Sequence, residues 1–484
     1  MSKRILAGYQ PEAFFYWFEE ISRIPRGSGN EEAIGQFILD FAVRRGLHAE
    51  RDAIGNVFFR LPASPGYEAE PAILLQAHLD MVCAKADGVN FNFNTQSIRF
   101  RIENDMLYGD GTNLGSDNGI GIAFMLAVAD DPAMVHPPLE LLFTVQEEVG
   151  LVGVQNFDMA KITAHRMINT DCGYSHGMCV SSVGCVKYRV HKTYELSEPE
   201  GCSGLRMSVR NGLGGHGGLM IHKGRACAVN VAGELLHLLK KEVPVRLVDF
   251  TASGSAIHSG SDTVFAVPAG MEERAKEMIR ESWKKYSDRY EIADPQVEVC
   301  VEKAETGKVA LSERDSSTLI DLLYLVPTAA LRHDGEDTDF ILTSNSIADT
   351  QLHDGVFRMA ASVRSAINSE RDSAYEKLTT VMELLGFSPE RTGGYNSWPS
   401  RNASPLQQKL RTAHRQLFGS EIEVEHIHGG IEVSYIMNQH PDMDAVGISP
   451  TAKGAHTVDE HLFLKEVQPF WDLMTAFFKI KDHA

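Results

Sequence analysis

Five short segments place acids or imidazoles where an apolar stretch has just ended. The first is Leu75-Gln76-Ala77-His78-Leu79-Asp80. His78 and Asp80 stand two apart, so on a strand they share a face. An imidazole backed by a carboxylate is how a metal-binding histidine is oriented. The second runs from Gly109 to Gly121 and contains Asp117. Its glycines permit close backbone approach, which suits a carboxylate lodged deep in a site, although Asp117 could instead cap the helix that follows. A dinucleotide fingerprint fails there, because Leu114 stands where the third glycine should be. The third is Thr144-Val145-Gln146-Glu147-Glu148. Neighbouring side chains at a strand end point different ways, so one acid can bind a metal while the other faces the reacting water. The fourth is Ile168-Asn169-Thr170-Asp171. The fifth, Ser449 to Glu460, lies far down the chain and carries His456.

Each segment has a plainer explanation when taken alone, and 19 histidines make any single one unremarkable in number. Together they carry more. In open α/β sheets the functional crevice lies beyond the carboxyl ends of the strands, and all five segments can converge there. Mixed imidazole and carboxylate ligands suit zinc, manganese or cobalt. Two histidines and three carboxylates can hold two ions if one carboxylate bridges them. The sequence contains neither His-Glu-x-x-His nor a P-loop.

The elements that must position these groups alternate. Phe14 to Ile24 and Glu31 to Arg45 read as amphipathic helices. Ala72 to Ala77, Leu139 to Val145 and Arg166 to Thr170 read as strands, with a helix over Gly119 to Ala129. From about Val186 to Gly393 the texture changes. Strands are expected at Leu205 to Val209, Val245 to Thr251, Phe265 to Val267 and Gln296 to Val301. Helices are expected at Arg225 to Lys241 and Met271 to Tyr286. The tail then returns to the first texture: a helix opened by Ser404-Pro405 and closed by Gly419, a strand at Asp444 to Ile448, and a last helix over Leu464 to Ile480. The expected fold class is α/β. One catalytic domain (residues 1–185 and 394–484) is interrupted by an α+β insert (186–393).

The 484 residues suffice for two or three domains. Hydrophobic residues make up 43% and charged residues 23%, as in a globular chain rather than a disordered one. The 65 acids against 46 Lys and Arg leave a net charge of −19, which argues against a nucleic-acid partner. No apolar stretch is long enough for a membrane span, and the run Ile5-Leu6-Ala7 is too short for a signal-peptide core. Seven cysteines without a Cys-x-x-Cys pattern fit a reducing cytoplasm.

In these segments, in this order, the chain resembles the M20 co-catalytic metallopeptidases over essentially its whole length. Gln76 to Cys83, the extended Gly111-to-Gly121 loop and Gly454 to Glu460 are similar to the branch of aminoacyl-histidine (Xaa-His, non-specific) dipeptidases. The resemblance implies a di-metal exopeptidase-like catalytic domain with an inserted lid that also serves in dimerisation. It implies that His78 and Asp171 hold one ion, that Glu148 and His456 hold the other, and that Asp117 bridges them. The ions would most simply be Zn2+, with Mn2+ or Co2+ as alternatives. Asp80 would orient His78, and Glu147 would be the general base for a hydroxide shared by the ions. The lid's Gly214-Gly215-His216 matches the family's oxyanion-steadying histidine, with Gly217 where Ser is usual. Arg364 is similar to a lid arginine that clamps a substrate carboxylate. The family's Asn-Ala-Ile-Pro stretch appears here as His258-Ser259-Gly260-Ser261, so His258 takes the place of the Asn donor. His428-Gly429-Gly430-Ile431-Glu432 resembles His-Ala-Gly-Leu-Glu, and Glu432 is a candidate for the substrate's α-ammonium. The expected protein is therefore a cytoplasmic homodimer cleaving dipeptides with a free N-terminus, without nucleic-acid or membrane partners. The rivals are a deacylase or carboxypeptidase acting on N-acyl amino acids and a catalytically silent binding protein on the same scaffold.

Overall fold

The computed structural model describes residues 4–218, 220–254, 256–305, 309–335, 340–401 and 404–482. Its contacts divide the chain into two units. The first comprises the residues up to Ser181, Ser400–Ile427 and the chain from Ile431 onward. The second comprises Ser182–Pro399 and the tripeptide His428–Gly430.

The first unit is built on an eight-stranded sheet. Its order is Ala49–Arg51, Val57–Leu61, Leu139–Thr144, Ile73–His78, Arg166–Asn169, Asp444–Gly447, Gly177–Ser182 and Glu423–Ile427. The strands Leu139–Thr144, Ile73–His78, Arg166–Asn169 and Asp444–Gly447 are mutually parallel. Ile73–His78 and Leu139–Thr144 are buried at every position, which is why they read as continuous apolar runs rather than alternating ones. Their registers align His78 with Thr144, Gln76 with Asn169, and Asn169 with Gly447, so all four end at one edge.

Helices Glu12–Ser22 and Glu32–Arg44 form where the apolar spacing places them, burying Phe14, Phe18 and Ile21, and Ile34, Ile38 and Phe41. The helix Ser116–Asp130 starts three residues before the expected Gly119, and Asp117 and Asn118 within it are non-helical. It is buried almost all round, with Phe124 edge-on to Phe470 at 4.9 Å. Phe470 belongs to the final helix Val467–Lys479, so the end of the chain closes the core that its beginning opened. Ser404 caps the helix Pro405–Phe418 by accepting from Gln407 N at 2.9 Å, and Gly419 ends it at φ +72°, as their residue types dictate.

A separate four-stranded sheet pairs Ala452–Lys453, His461–Phe463, Met106–Gly109 and Phe100–Glu103. Sequence patterning did not show it, because two of its strands are only two and three residues long.

The second unit carries a nine-stranded sheet whose strand pairings, among the described residues, are antiparallel. The four expected strands are present as Cys202–Arg210, Arg246–Ser253, Gly260–Pro268 and Glu298–Lys303. Helices Ala228–Leu239 and Glu272–Tyr286 match the expected pair, and Glu313–Leu325 and Asn368–Leu384 join them.

Phe124→Ala is expected to destabilise the first unit by about 3–5 kcal/mol, since the cavity would open beneath a fully buried helix. Urea unfolding followed by tryptophan fluorescence, with Trp471 nearby at a ring separation of 6.2 Å, measures it.

Candidate metal centre

The parallel strands deliver their side chains to a common edge. His78 ends its strand, Glu147 and Glu148 follow Thr144, and Asp171 follows Asn169. The small sheet delivers the remaining two groups. Met106–Gly109 leads into the Asp117 turn, and the hairpin between Ala452–Lys453 and His461–Phe463 holds His456. Because His461 pairs with Tyr108, the two loops are fastened side by side.

Asp117 lies between the imidazoles. His78 Nε2 stands 2.9 Å from Asp117 Oδ1, and His456 Nε2 stands 3.2 Å from Asp117 Oδ2. On the His78 side, Asp171 Oδ1 is 3.4 Å from the same Nε2. On the His456 side, Glu148 Oε2 is 2.9 Å from the imidazole. The result is two half-sites sharing one carboxylate. Asp117 does not cap its helix, and the Asp117–Asn118 peptide is cis.

The donor set fits divalent cations. Ligands about 2.0–2.2 Å from a tetrahedral ion stand roughly 3.3–3.6 Å from one another, close to the 2.9–3.4 Å separations here. His78, Asp117 and Glu148 offer atoms that all lie within 4.8 Å of one another. Glu148 Oε1 is buried with no hydrogen-bond partner among the described residues, so it retains a free lone pair. Acids outnumber imidazoles, and an acidic cluster of this kind calls for positive charge.

The electrostatics follow from burial and crowding. Burial lowers the basicity of His78, but Asp171, Asp117 and Asp80 outweigh it and hold the imidazole well above its usual range. Asp117 and Glu148 raise His456 to about 10. Burial, together with Asp117, pushes Asp171 up to about 7. Burial is also the main reason that the Glu147 carboxyl sits well above the ordinary carboxylate range. His78 offsets this in part, while Asp171, Glu432 and Glu148 add to it. A carboxyl raised in this way holds a proton more readily than an ordinary carboxylate does.

Asp80 does more than face His78, whose Nδ1 is 3.4 Å from its Oδ1. Its carboxylate also accepts from Glu147 N at 3.0 Å, Glu148 N at 3.3 Å and Ser28 Oγ at 2.7 Å. One acid therefore sets both the histidine and the two-glutamate turn. Glu31 supports the same turn, its Oε1 accepting from Gln146 N at 3.1 Å. Sequence reading overlooked Ser28 and Glu31. The signal that could have found them is the polar, glycine-broken loop Arg26-Gly27-Ser28-Gly29-Asn30-Glu31 between two well-defined helices.

Glu432 is enclosed at 1% exposure. Its Oε2 accepts from Thr144 Oγ1 at 2.6 Å and from Gln76 Nε2. Gln76 Oε1 in turn accepts from Asn169 Nδ2 at 2.6 Å, and Asn169 Oδ1 accepts from Asp171 N at 3.1 Å. Oε2 thus joins a polar chain that ends on Asp171, while Oε1 is buried with no hydrogen-bond partner among the described residues.

The second unit holds the other expected groups. Arg364 is half-buried on the strand Val356–Ser365, donating to Ser346 Oγ at 3.0 Å and Ser362 Oγ at 2.9 Å. It has no carboxylate partner among the described residues. His216 follows Gly215 in the glycine-rich loop, where its Nδ1 accepts from Gly218 N at 3.1 Å. A Cβ on Gly217 would meet Ser346 Oγ at 2.5 Å, so the chain has no room there for the usual serine. His258 is 2% exposed with Nδ1 4.0 Å from Cys227 Sγ. Burial lowers its basicity.

Gly173-Tyr174-Ser175-His176-Gly177 has the spacing of a nucleophile elbow. Ser175 is fully buried, however, and donates to Glu466 O at 2.8 Å between two strands, not between a strand and a helix. It has no nucleophile's setting.

The profile described as Peptidase family M20/M25/M40 matches residues 74–479, so this chain belongs to that family and is a peptide hydrolase. Cytosol non-specific dipeptidase of Escherichia coli (strain K12) is 29% identical over 478 residues, 98% of each chain. The crystal structure of aminoacylhistidine dipeptidase from Vibrio alginolyticus matches with a TM-score of 0.85 at 28% identity, covering 98% of this chain and 97% of that one. Aminopeptidase PepT from Bacillus cereus shares the fold, with a TM-score of 0.58 at 15% identity over 97% and 98% of the two chains.

Burial pushes the Glu432 carboxyl from its ordinary 4.5 up to about 8. Between those values the folded chain keeps a proton that the unfolded chain has released, so stability falls as pH rises through this window. Glu432→Gln removes the ionisation and keeps an oxygen for Thr144. In metal-free protein it is expected to gain about 1–3 kcal/mol at pH 8 and to flatten the slope between pH 4.5 and 8. Urea unfolding across that range tests it, and a slope equal to wild type counts against this account of Glu432.

Proposed function

We propose that this chain is a dipeptidase that hydrolyses dipeptides with a free N-terminus, of Xaa-His type or of broad range, using two divalent cations. The observation that carries the reading is the position of Asp117, with one oxygen on the His78 half-site and the other on the His456 half-site. End-to-end likeness to proteins named as dipeptidases supports the substrate class.

In this reading His78 and Asp171 hold one cation, Glu148 and His456 hold the other, and Asp117 bridges them. Zn2+ is the simplest occupant, and Mn2+ and Co2+ suit the same ligands. When bound, the ions supply Lewis-acid polarisation of the scissile carbonyl and acidify a water. The residues do the rest. Glu147 takes the proton from the attacking water and returns it to the leaving amine. Asp80 keeps His78 and the Glu147 turn in place. Arg364, with its guanidinium on two hydroxyls and no acid among the described residues, is suited to take the substrate carboxylate bidentately. His216 is assigned as the donor to the developing oxyanion. The reading carries with it a homodimer formed through the second unit and action in a reducing cytoplasm, where the buried thiols of Cys172, Cys179, Cys185 and Cys227 stay reduced.

The test is a panel of free and N-acetylated dipeptides on metal-free enzyme reloaded with single ions. Free dipeptides are expected to be cleaved after reloading and not before. Preference for the acetylated substrates would replace the proposal with an N-acyl amino acid hydrolase, and absence of both binding and cleavage would leave only a silent scaffold. Glu147→Gln is expected to keep its metal and lose roughly 10²–10⁴-fold in kcat. Near-normal turnover would reject the proton role.

A further inference from the structure

Two buried, oppositely charged residues hold the Asp117 turn, one through its amides and the other through a carbonyl. Glu460 is 1% exposed. Its Oε2 accepts from Gly115 N at 2.8 Å, and its Oε1 accepts from Ser116 Oγ at 2.6 Å and Asp117 N at 3.0 Å. Arg26 is 2% exposed and spends its donors on backbone. Its Nη1 donates to Leu79 O at 3.0 Å and Asp80 O at 2.9 Å, and its Nη2 donates to Gly115 O. Glycine is required at this turn on two counts. Gly115 has φ +71°, and a Cβ there would meet Arg26 Nη2 at 2.8 Å; a Cβ on Gly119 would meet the same atom at 2.7 Å.

An Asp side chain has only two rotatable bonds. A carboxylate that must present one oxygen to each of two imidazoles therefore depends on its backbone for placement. Asp117 and Asn118 lie outside helical geometry, and Gly119 N donates to Gly115 O at 3.2 Å across the turn. Glu460 and Arg26 hold the rest of that backbone by side-chain contacts. Glu460 also stands in the same hairpin as His456, where Glu460 N donates to Thr457 O at 3.2 Å. One side chain thus fastens the His456 loop to the Asp117 turn across more than 340 residues of chain.

We propose that Glu460 and Arg26 are positioning residues that set the bridging carboxylate, so that losing either disables paired-ion binding before it unfolds the protein. This rests on the two-cation reading above. Glu460→Gln cannot accept all three bonds, since its amide nitrogen is a donor. The full-length protein is loaded with Mn2+ and followed by metal titration and by electron paramagnetic resonance. Wild type is expected to bind two ions and show an exchange-coupled pair. Glu460→Gln is expected to bind the second ion 10–100-fold more weakly and to lose the coupled signal, with kcat falling in step and KM within about threefold. Arg26→Lys keeps the charge but not the fork and is expected to weaken the second ion in the same direction. Should Glu460→Gln fail to fold, Ser116→Ala removes one bond only, and a loss of roughly three- to tenfold in second-ion affinity is expected. Coupled pairs of equal affinity in wild type and variants would overturn the clamp and leave the two-cation reading intact. A wild type that binds no ion pair would overturn that reading and the clamp with it.

Discussion

The constraint on which the site depends is that one small carboxylate must satisfy two imidazoles at once. Asp117 does so with one oxygen each, within 2.9 and 3.2 Å. Around it stand acids that would repel one another if they were merely gathered. The protein manages this by surrounding the supporting acids with neutral donors, to which Asp80 adds the His78 imidazole. Asp80 takes two amides and a hydroxyl, Glu432 takes a hydroxyl and an amide side chain, and Glu460 takes two amides and a hydroxyl. Backbone and hydroxyl dipoles stabilise a buried carboxylate without competing with a cation for it. The positive charge is left to be supplied where the ligands converge.

The sheet explains why convergence is possible. Four parallel strands end on one edge, so side chains from three sequence-distant strand ends meet without any long loop having to search for them. The second, smaller sheet solves a different problem. His456 and Asp117 both lie on loops, and loops alone place a side chain loosely. Pairing His461 with Tyr108 ties the bases of the two loops together. The resulting placement is firm enough for His456 to adopt φ +68°, a backbone region uncommon for residues other than glycine.

The second unit shows a related use of polar burial. The strand Ile341–His353 buries Thr343, Ser344, Asn345 and Ser346 in succession. Ser344 Oγ stands 2.7 Å from His428 Nε2, and Ser346 Oγ accepts from Arg364. These hydroxyls hold Arg364 and His428 without neutralising them. Burial, reinforced by Arg364, brings the His428 imidazole down to about 4, so it is a neutral partner beside a cation. The same row of small polar residues is why this strand, the longest in the unit, was not legible as one. A Thr-Ser-Asn-Ser run has the composition of a turn.

Much was legible before any coordinates. Apolar runs placed the central strands, helix spacing placed the flanking helices, and Ser404-Pro405 with Gly419 marked one helix to the residue. Acids and imidazoles just past apolar strands marked His78, Asp117, Glu147, Glu148, Asp171 and His456, because strand ends are where such a fold exposes function. Local patterning could not show what holds those groups. Arg26, Ser28, Glu31, Gln76, Asn169 and Glu460 act through contacts to residues far away in the chain, and each has an ordinary local context. The same limit applies to Glu432 and His258, whose enclosure by tertiary packing no local pattern shows. Residue type and local periodicity determined which chemistry was available and roughly where the elements lay. Only the folded chain decided which side chains face one another, because distances between strand ends, loop anchors and buried donors are set by packing across the sheet and not by neighbours in sequence.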